Sequence, residues 1–283
     1  MIPKKIITYR DPVNDDFAGT NIHTKPLPEW FRYTHTNLLW RGLACIVYRG
    51  LARPIAFCFR KLWGAHRFEN RQVLREAAGR GVYVYANHTQ RVMDAFLPCQ
   101  LRRRGRSYII VGPEALSIPL IHNFLQMLGA IPLGSTIRQS RDMAQSVHDH
   151  IARGDLVTVY PEAHIWLFYT GIRPFPAASF GYPARDGAPV YAMTSCYRKR
   201  RLGAFPKVVT YLDGPFYPDS SLPGPMPRSH GKAGGGELNL CLLRVPGRGV
   251  IGLPGGGSFY LHPRIFSAFS MRSFVGGAMP ARG

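Results

Sequence analysis

Acidic residues are scarce in this 283-residue chain: 16 Asp and Glu stand against 36 Lys and Arg, a formal charge of +20. Such an imbalance points to an anionic partner, whether nucleic acid, an anionic lipid surface or a phosphorylated substrate. Cysteine is sparse as well. Cys45, Cys58, Cys99, Cys196 and Cys241 form an odd set with no C-x-x-C pair. That argues against a disulfide framework and a zinc ribbon alike, and fits a reducing compartment. The opening residues MIPKKIITYRDPVNDD place no apolar segment of secretory length behind their two lysines, so no signal peptide is expected. No run of about 18 uncharged apolar residues occurs, and a membrane-spanning segment is not expected either. The absence of G-x-S-x-G removes the nucleophile elbow of a common hydrolase class.

What is present is ordinary globular material. Hydrophobic residues make up 46% and charged residues 18%, which excludes wholesale disorder. Short β-branched or aromatic runs alternate with longer helical segments, the pattern of a mostly parallel central sheet flanked by helices. Strands are expected at 82–86, 108–111, 130–133, 156–160, 190–194 and 208–212, and helices near 71–78, 94–103, 119–128 and 138–153. The chain divides into an N-terminal extension (1–34), a basic amphipathic segment (35–68), an α/β domain (69–218) and a tail (219–283).

From Trp30 to Phe68 there are seven Arg or Lys and no acid. At helical spacing Arg41, Arg49, Arg53 and Arg60 share one arc, and Trp40, Leu43, Val47 and Leu51 lie opposite. Pro54 is expected to kink or divide this helix. A basic face against an apolar face carrying Trp suits a helix lying on an anionic membrane surface. A helix packed on the core with solvated arginines has the same pattern.

In the tail, Gly and Pro make up about a third of the residues, against about 15% over residues 1–215. It reads as irregular chain, or as the product of a reading-frame slip. Gly247 to Gly252 spells G-x-G-x-x-G, but Pro254 and the glycines after it forbid the helix a dinucleotide site needs.

Two strand ends carry the chemistry. The first expected strand ends at Ala86 and is followed by Asn87-His88, with Asp94 six residues beyond His88. An Asp that holds one imidazole nitrogen fixes the tautomer and leaves the other nitrogen free to take a proton from a hydroxyl. The same pair is also common as a purely structural contact. The second strand end delivers Tyr160-Pro161-Glu162 and His164. Carboxyl ends of parallel strands converge on one crevice. His148 and His150 lie on a polar helix with no third ligand at a metal-site spacing, so no metal is expected.

These stretches resemble the glycerolipid acyltransferases, the lysophosphatidate acyltransferase-like enzymes, over roughly residues 35–215. Asn87-His88 with Asp94 is similar to that family's N-H-x4-D block, and Gly129-Ala-Ile-Pro-Leu with Arg138 and Arg141 to its glycine-to-arginine block. Tyr160-Pro161-Glu162 is similar to the P-E-G-T-R block, and Ala188-Pro189-Val190-Tyr191 to the V-P-I-x-P block. Three departures stand out. The His-to-Asp interval is one residue longer, the glycine-to-arginine interval is stretched, and Ala163-His164-Ile165 replaces Gly-Thr-Arg.

The resemblance implies direct acyl transfer. His88, oriented by Asp94, would take the proton from a hydroxyl of a lysophospholipid or glycerol phosphate as it attacks an acyl thioester of coenzyme A or acyl carrier protein, with no further cofactor. Asn87, Arg91, Glu162 and His164 are expected to bind substrate. Arg173, with Arg138 and Arg141, is expected to replace the missing phosphate-binding arginine. The expected location is cytoplasmic and peripheral, at the inner face of the membrane. Two rival readings share the same text. One is a nucleic-acid-binding module, against which stands the lack of any binding motif; nucleic acid is not expected as a partner. The other is an acyltransferase-like protein that has lost activity.

Overall fold

The computed structural model describes residues 8–17, 26–62, 66–90, 92–116, 122–175, 177–198, 206–218 and 243–244. Eight strands are found among them: β1 (Arg67–Glu69), β2 (Val82–Ala86), β3 (Ser107–Val111), β4 (Ala130–Pro132), β5 (Leu156–Val159), β6 (Val190–Arg198), β7 (Lys207–Pro218) and β8 (Leu243–Arg244). Their order is β1-β7-β6-β2-β5-β3-β4, with β8 paired to β7. From β4 to β6 every pairing is parallel, and β7 runs antiparallel to β6. The result is a mixed α/β fold with a mostly parallel sheet flanked by helices.

Burial on both faces explains the continuous apolar runs. Along β2, Tyr83 and Tyr85 enter a cluster with Val147, Val157 and Val190, while Val82, Val84 and Ala86 enter a second with Leu97, Leu101 and Met193. The first cluster is closed by α5 (Ile137–Ala152), the second by α3 (Met93–Phe96) and the short helical turns around it. Helix α5 starts sharply because Thr136 accepts from the Gln139 N–H while the Gln139 carboxamide oxygen accepts from Ser135 N–H. Gly129 follows α4 (His122–Leu128) at φ +102°, where a Cβ would lie 2.5 Å from the Ser107 carbonyl. That close approach accounts for the glycine that opens the second sequence block.

The basic segment behaves differently from its sequence expectation. Pro54 does not divide it: α1 (Leu38–Ile46) runs through a π-helical turn (Val47–Ala52) into α2 (Arg53–Leu62). The Arg53 N–H bonds back five residues to the Tyr48 carbonyl, so the wider turn absorbs the proline one residue later. Arg53 donates to the Arg102 and Arg103 carbonyls, and Arg60 to Gln100 and the His66 carbonyl. Two of the four arginines therefore tie the helix to the domain rather than face outward. Tyr48 completes the anchorage by accepting from Ser107 N–H at 2.9 Å. Beside the exposed Arg41 and Arg49, the outward surface is strongly apolar: Leu38, Leu39 and Ile46 are 77%, 83% and 69% exposed, and Leu43 and Phe57 about half. By length and composition alone the helix Leu38–Lys61, 24 residues with mean hydropathy 1.3, could cross a membrane.

Residues 8–17 and 26–36 pack onto the domain. Gln139 donates to the Leu27 and Pro28 carbonyls, and Tyr9 and Phe17 lie against Trp166 with ring centroids about 5 Å away. Apart from Leu243 and Arg244, the expectations for the tail, including the Gly247–Gly252 motif, fall outside the described residues.

Candidate active site

Strands β2 and β5 are parallel neighbours with Tyr85 opposite Val159, so the loops that leave them start side by side at the carboxyl edge. His88 and Asp94 meet there: His88 Nδ1 is 2.8 Å from Asp94 Oδ2. The longer interval in this chain is taken up by a turn in which the same Oδ2 also accepts the N–H groups of Thr89 (3.0 Å) and Gln90 (2.9 Å). Asp94 is 1% exposed, and burial pushes its carboxyl up while His88 and the two amides pull the other way. With Nδ1 engaged by the carboxylate, Nε2 is the ring nitrogen left for another partner, and the side chain is 18% exposed.

Tyr160, already marked by the third sequence block, and three residues that the sequence reading did not single out lock this imidazole. Tyr160 stacks on it at 4.5 Å between centroids and donates its hydroxyl to the Asp94 carbonyl at 2.6 Å. Trp166 N–H donates to His88 O and Phe168 N–H to Thr89 O, tying the His88 loop to the loop that follows β5. Tyr197, near the end of β6, donates to Thr89 Oγ1 at 2.7 Å. Only spatial proximity joins Trp166, Phe168 and Tyr197 to residue 88, which is why no spacing in the sequence pointed to them.

Glu162 reaches the same place from β5. Its Oε2 accepts His88 N–H and its Oε1 accepts Arg173 N–H, each at 3.2 Å. Arg173 is 1% exposed, lies 3.5 Å from Glu162 Oε2, donates to the Glu162 and His164 carbonyls and stacks over Trp166. Its guanidinium is thus committed inside the loop. The expectation that it meets an acceptor phosphate gives way to a framing role. Asn87 is committed likewise, since its amide donates to and accepts from the Ser195 backbone as though β2 continued beside β6. His164 is half-buried, with Nδ1 3.9 Å from Asp16. Arg138 and Arg141 are exposed in the first turns of α5, Arg138 within 3.9 Å of Asp142. They border the same carboxyl edge, three strands from β2 or roughly 14 Å at ordinary strand spacing. Arg91 lies outside the described residues.

His148 and His150 diverge: the first meets Asp186 at 2.9 Å in the open, the second is buried beside Asp155. They do not form one ligand set.

The acyltransferase family model matches residues 65–202, a span that begins just before β1, includes the His88–Asp94 pair and Glu162, and ends after β6. Residues 65–202 form an acyltransferase-family domain. No curated protein sequence matches the chain. Among solved structures, the 1-acyl-sn-glycerophosphate acyltransferase PlsC of Thermotoga maritima is similar to it at 18% identity, over 63% of this chain and 83% of that one, with a TM-score of 0.43. Within the acyltransferase domain, Ala163 replaces the glycine of the third sequence block and still adopts φ +58°, the left-handed conformation glycine enters without a Cβ penalty.

Proposed function

We propose that the acyltransferase domain moves a fatty acyl group from an acyl thioester to a hydroxyl of a lysophospholipid or glycerol phosphate. The contact between His88 Nδ1 and Asp94 carries this reading, because it leaves Nε2 to act as a base at the carboxyl edge of the parallel strands. In the reaction the acceptor oxygen attacks the thioester carbonyl carbon, and His88 Nε2 takes the hydroxyl proton. A C–O bond forms, the C–S bond breaks, and the proton passes to the departing sulfur. Asp94 is the positioning residue, holding the tautomer and stabilising the imidazolium.

Glu162 and Arg173 act through the loop rather than on substrate. Arg138 and Arg141 are the exposed arginines left to meet phosphate, and their planar forks suit phosphate oxygens. The donor is a thioester of coenzyme A or of acyl carrier protein. Helix α1–α2 lies on an anionic membrane surface at the cytoplasmic side, with Leu38, Leu39, Leu43, Ile46 and Phe57 toward the acyl chains. The face bound to the domain and the arginines along the helix favour that position over a spanning one. Thiol release from acyl thioesters across a panel of lysophospholipids and glycerol phosphate tests the reading. Release that depends on one of these acceptors supports it; release with none of them contradicts it.

A further inference from the structure

Where α2 ends, β1 begins and β7 starts, an open cleft of about 500 Å³ lies on the far side of β2 from α5. Arg60, Lys61, Arg67, Arg71 and Lys207 line it together with His66, and no acid does. Among the described residues, only Arg67 of these has an acidic partner within 4 Å, Glu69 at 3.0 Å outside the lining. The guanidinium carbons of Arg60 and Arg71 lie 5.8 and 5.9 Å from the Phe68 ring centroid, which holds two like charges side by side. Burial, followed by the charges of Arg60 and its neighbours, pushes Arg71 below the usual arginine range. His66 is 3% exposed. Its Nε2 meets Thr210 Oγ1 at 2.7 Å, whereas its Nδ1 has no hydrogen-bond partner among the described residues.

A group of cations drawn together without a counter-charge calls for an oxyanion, to which the His66 Nδ1–H adds a donor when Nε2 accepts from the Thr210 hydroxyl. The surroundings indicate which kind. Phe57, half exposed and 5.4 Å from the Arg60 guanidinium, continues the outward apolar face of α1–α2 up to the rim. Apolar surface beside a phosphate-sized cationic recess fits a molecule with acyl chains on one side and a phosphate on the other. Lys207 pairs with Arg198 at the carboxyl end of β6, so the cleft opens at the same edge as His88, three strands from β2. We propose that this cleft holds the headgroup phosphate of an anionic membrane phospholipid, at a site separate from the His88–Asp94 pair, and so sets how the domain sits on the bilayer. Free phosphate shares the chemistry, but the apolar rim favours the lipid.

Because binding is read without turnover, the test is independent of the role given to His88. The full chain is sedimented with phosphatidylcholine vesicles with and without phosphatidic acid, as wild type and as K61E/K207E, whose side chains sit at the rim of the cleft. The neutral pair K61Q/K207Q and the control R103E/R104E, which has the same charge change in the neighbouring arginine cluster outside the lining of the cleft, are run in parallel. Wild type should prefer phosphatidic acid vesicles by tenfold or more. K61E/K207E should fall to within about twofold of its binding to neutral vesicles, K61Q/K207Q should lie between, and the control should keep most of the preference. An unchanged preference in both cleft variants, or an equal loss in the control, would overturn the proposal. Calorimetry with inorganic phosphate separates the sources: saturable phosphate binding lost in K61E/K207E while vesicle preference survives would assign the cleft to a soluble phosphate and overturn the membrane assignment.

Discussion

Arg173 Nε lies 3.5 Å from Glu162 Oε2, both side chains are 1% exposed, and the Glu162 carboxylate receives the His88 N–H in the same arrangement. An ion pair with almost no access to water thus holds the backbone of His88. Removing one partner of such a pair strands the other charge, which typically costs about 3–5 kcal/mol, whereas replacing both costs far less. Arg173→Met should therefore destabilise by about that amount, and E162Q/R173M should recover a good part of it. Urea unfolding of the two variants checks this; equal losses in the single and double variants would contradict the pairing.

Ala163 gives a second, opposite expectation. Its φ of +58° carries a penalty of about 1–2 kcal/mol that glycine avoids, against about 0.5–1 kcal/mol of extra unfolded-chain entropy that glycine brings. Ala163→Gly should leave stability unchanged or raise it by up to about 1 kcal/mol. Ala144→Gly, inside α5, should lose about 1 kcal/mol. Thermal melts of the two variants separate the cases, and a comparable loss at both sites would remove the strain argument.

His66 sets a pH dependence. Burial, with a smaller contribution from the Arg60 charge, lowers its imidazole from 6.5 to about 4. Between those values the unfolded chain binds a proton at this residue and the folded chain does not. Stability from this group is thus fully present above about pH 6.5 and is lost as pH falls toward 4. Its size is up to about 3 kcal/mol. Unfolding midpoints measured from pH 7 to pH 4.5 should drop less steeply in His66→Gln than in wild type. Parallel curves would show that His66 is not held neutral.

The sequence was informative wherever the chain places its chemistry near its own strand ends. All six expected strands form, most legibly β2 and β5, which are parallel, fully buried and so apolar on both faces, and the His88–Asp94 contact forms within a single turn despite the extra residue. Strand β1 left no signal, since Arg67-Phe68-Glu69 is too short for a pattern and is recruited by β7 from 140 residues away. Arg173 was legible as a charge but not as a buried one: burial depends on Trp166 and on the Pro12 carbonyl reaching it from the N-terminal extension. The arginines of α1–α2 were placed on the right arc, yet Arg53 and Arg60 turn inward because backbone carbonyls and a carboxamide lie within their reach.

Asp94→Asn separates orientation from mere contact. The amide can still accept from Thr89 and Gln90 N–H, so the turn should persist, but it no longer stabilises an imidazolium. A drop in kcat of tenfold or more with little change in KM or in melting temperature is expected. A loss confined to KM would assign Asp94 to substrate binding instead.

The central claim is that His88 is the base. Thiol release from an acyl thioester in the presence of a lysophospholipid, measured for wild type and His88→Ala at matched folding by circular dichroism, tests it most directly. The account predicts a fall of about 10²-fold or more in kcat with the fold intact. A His88→Ala enzyme that retains activity within a few-fold of wild type would contradict it.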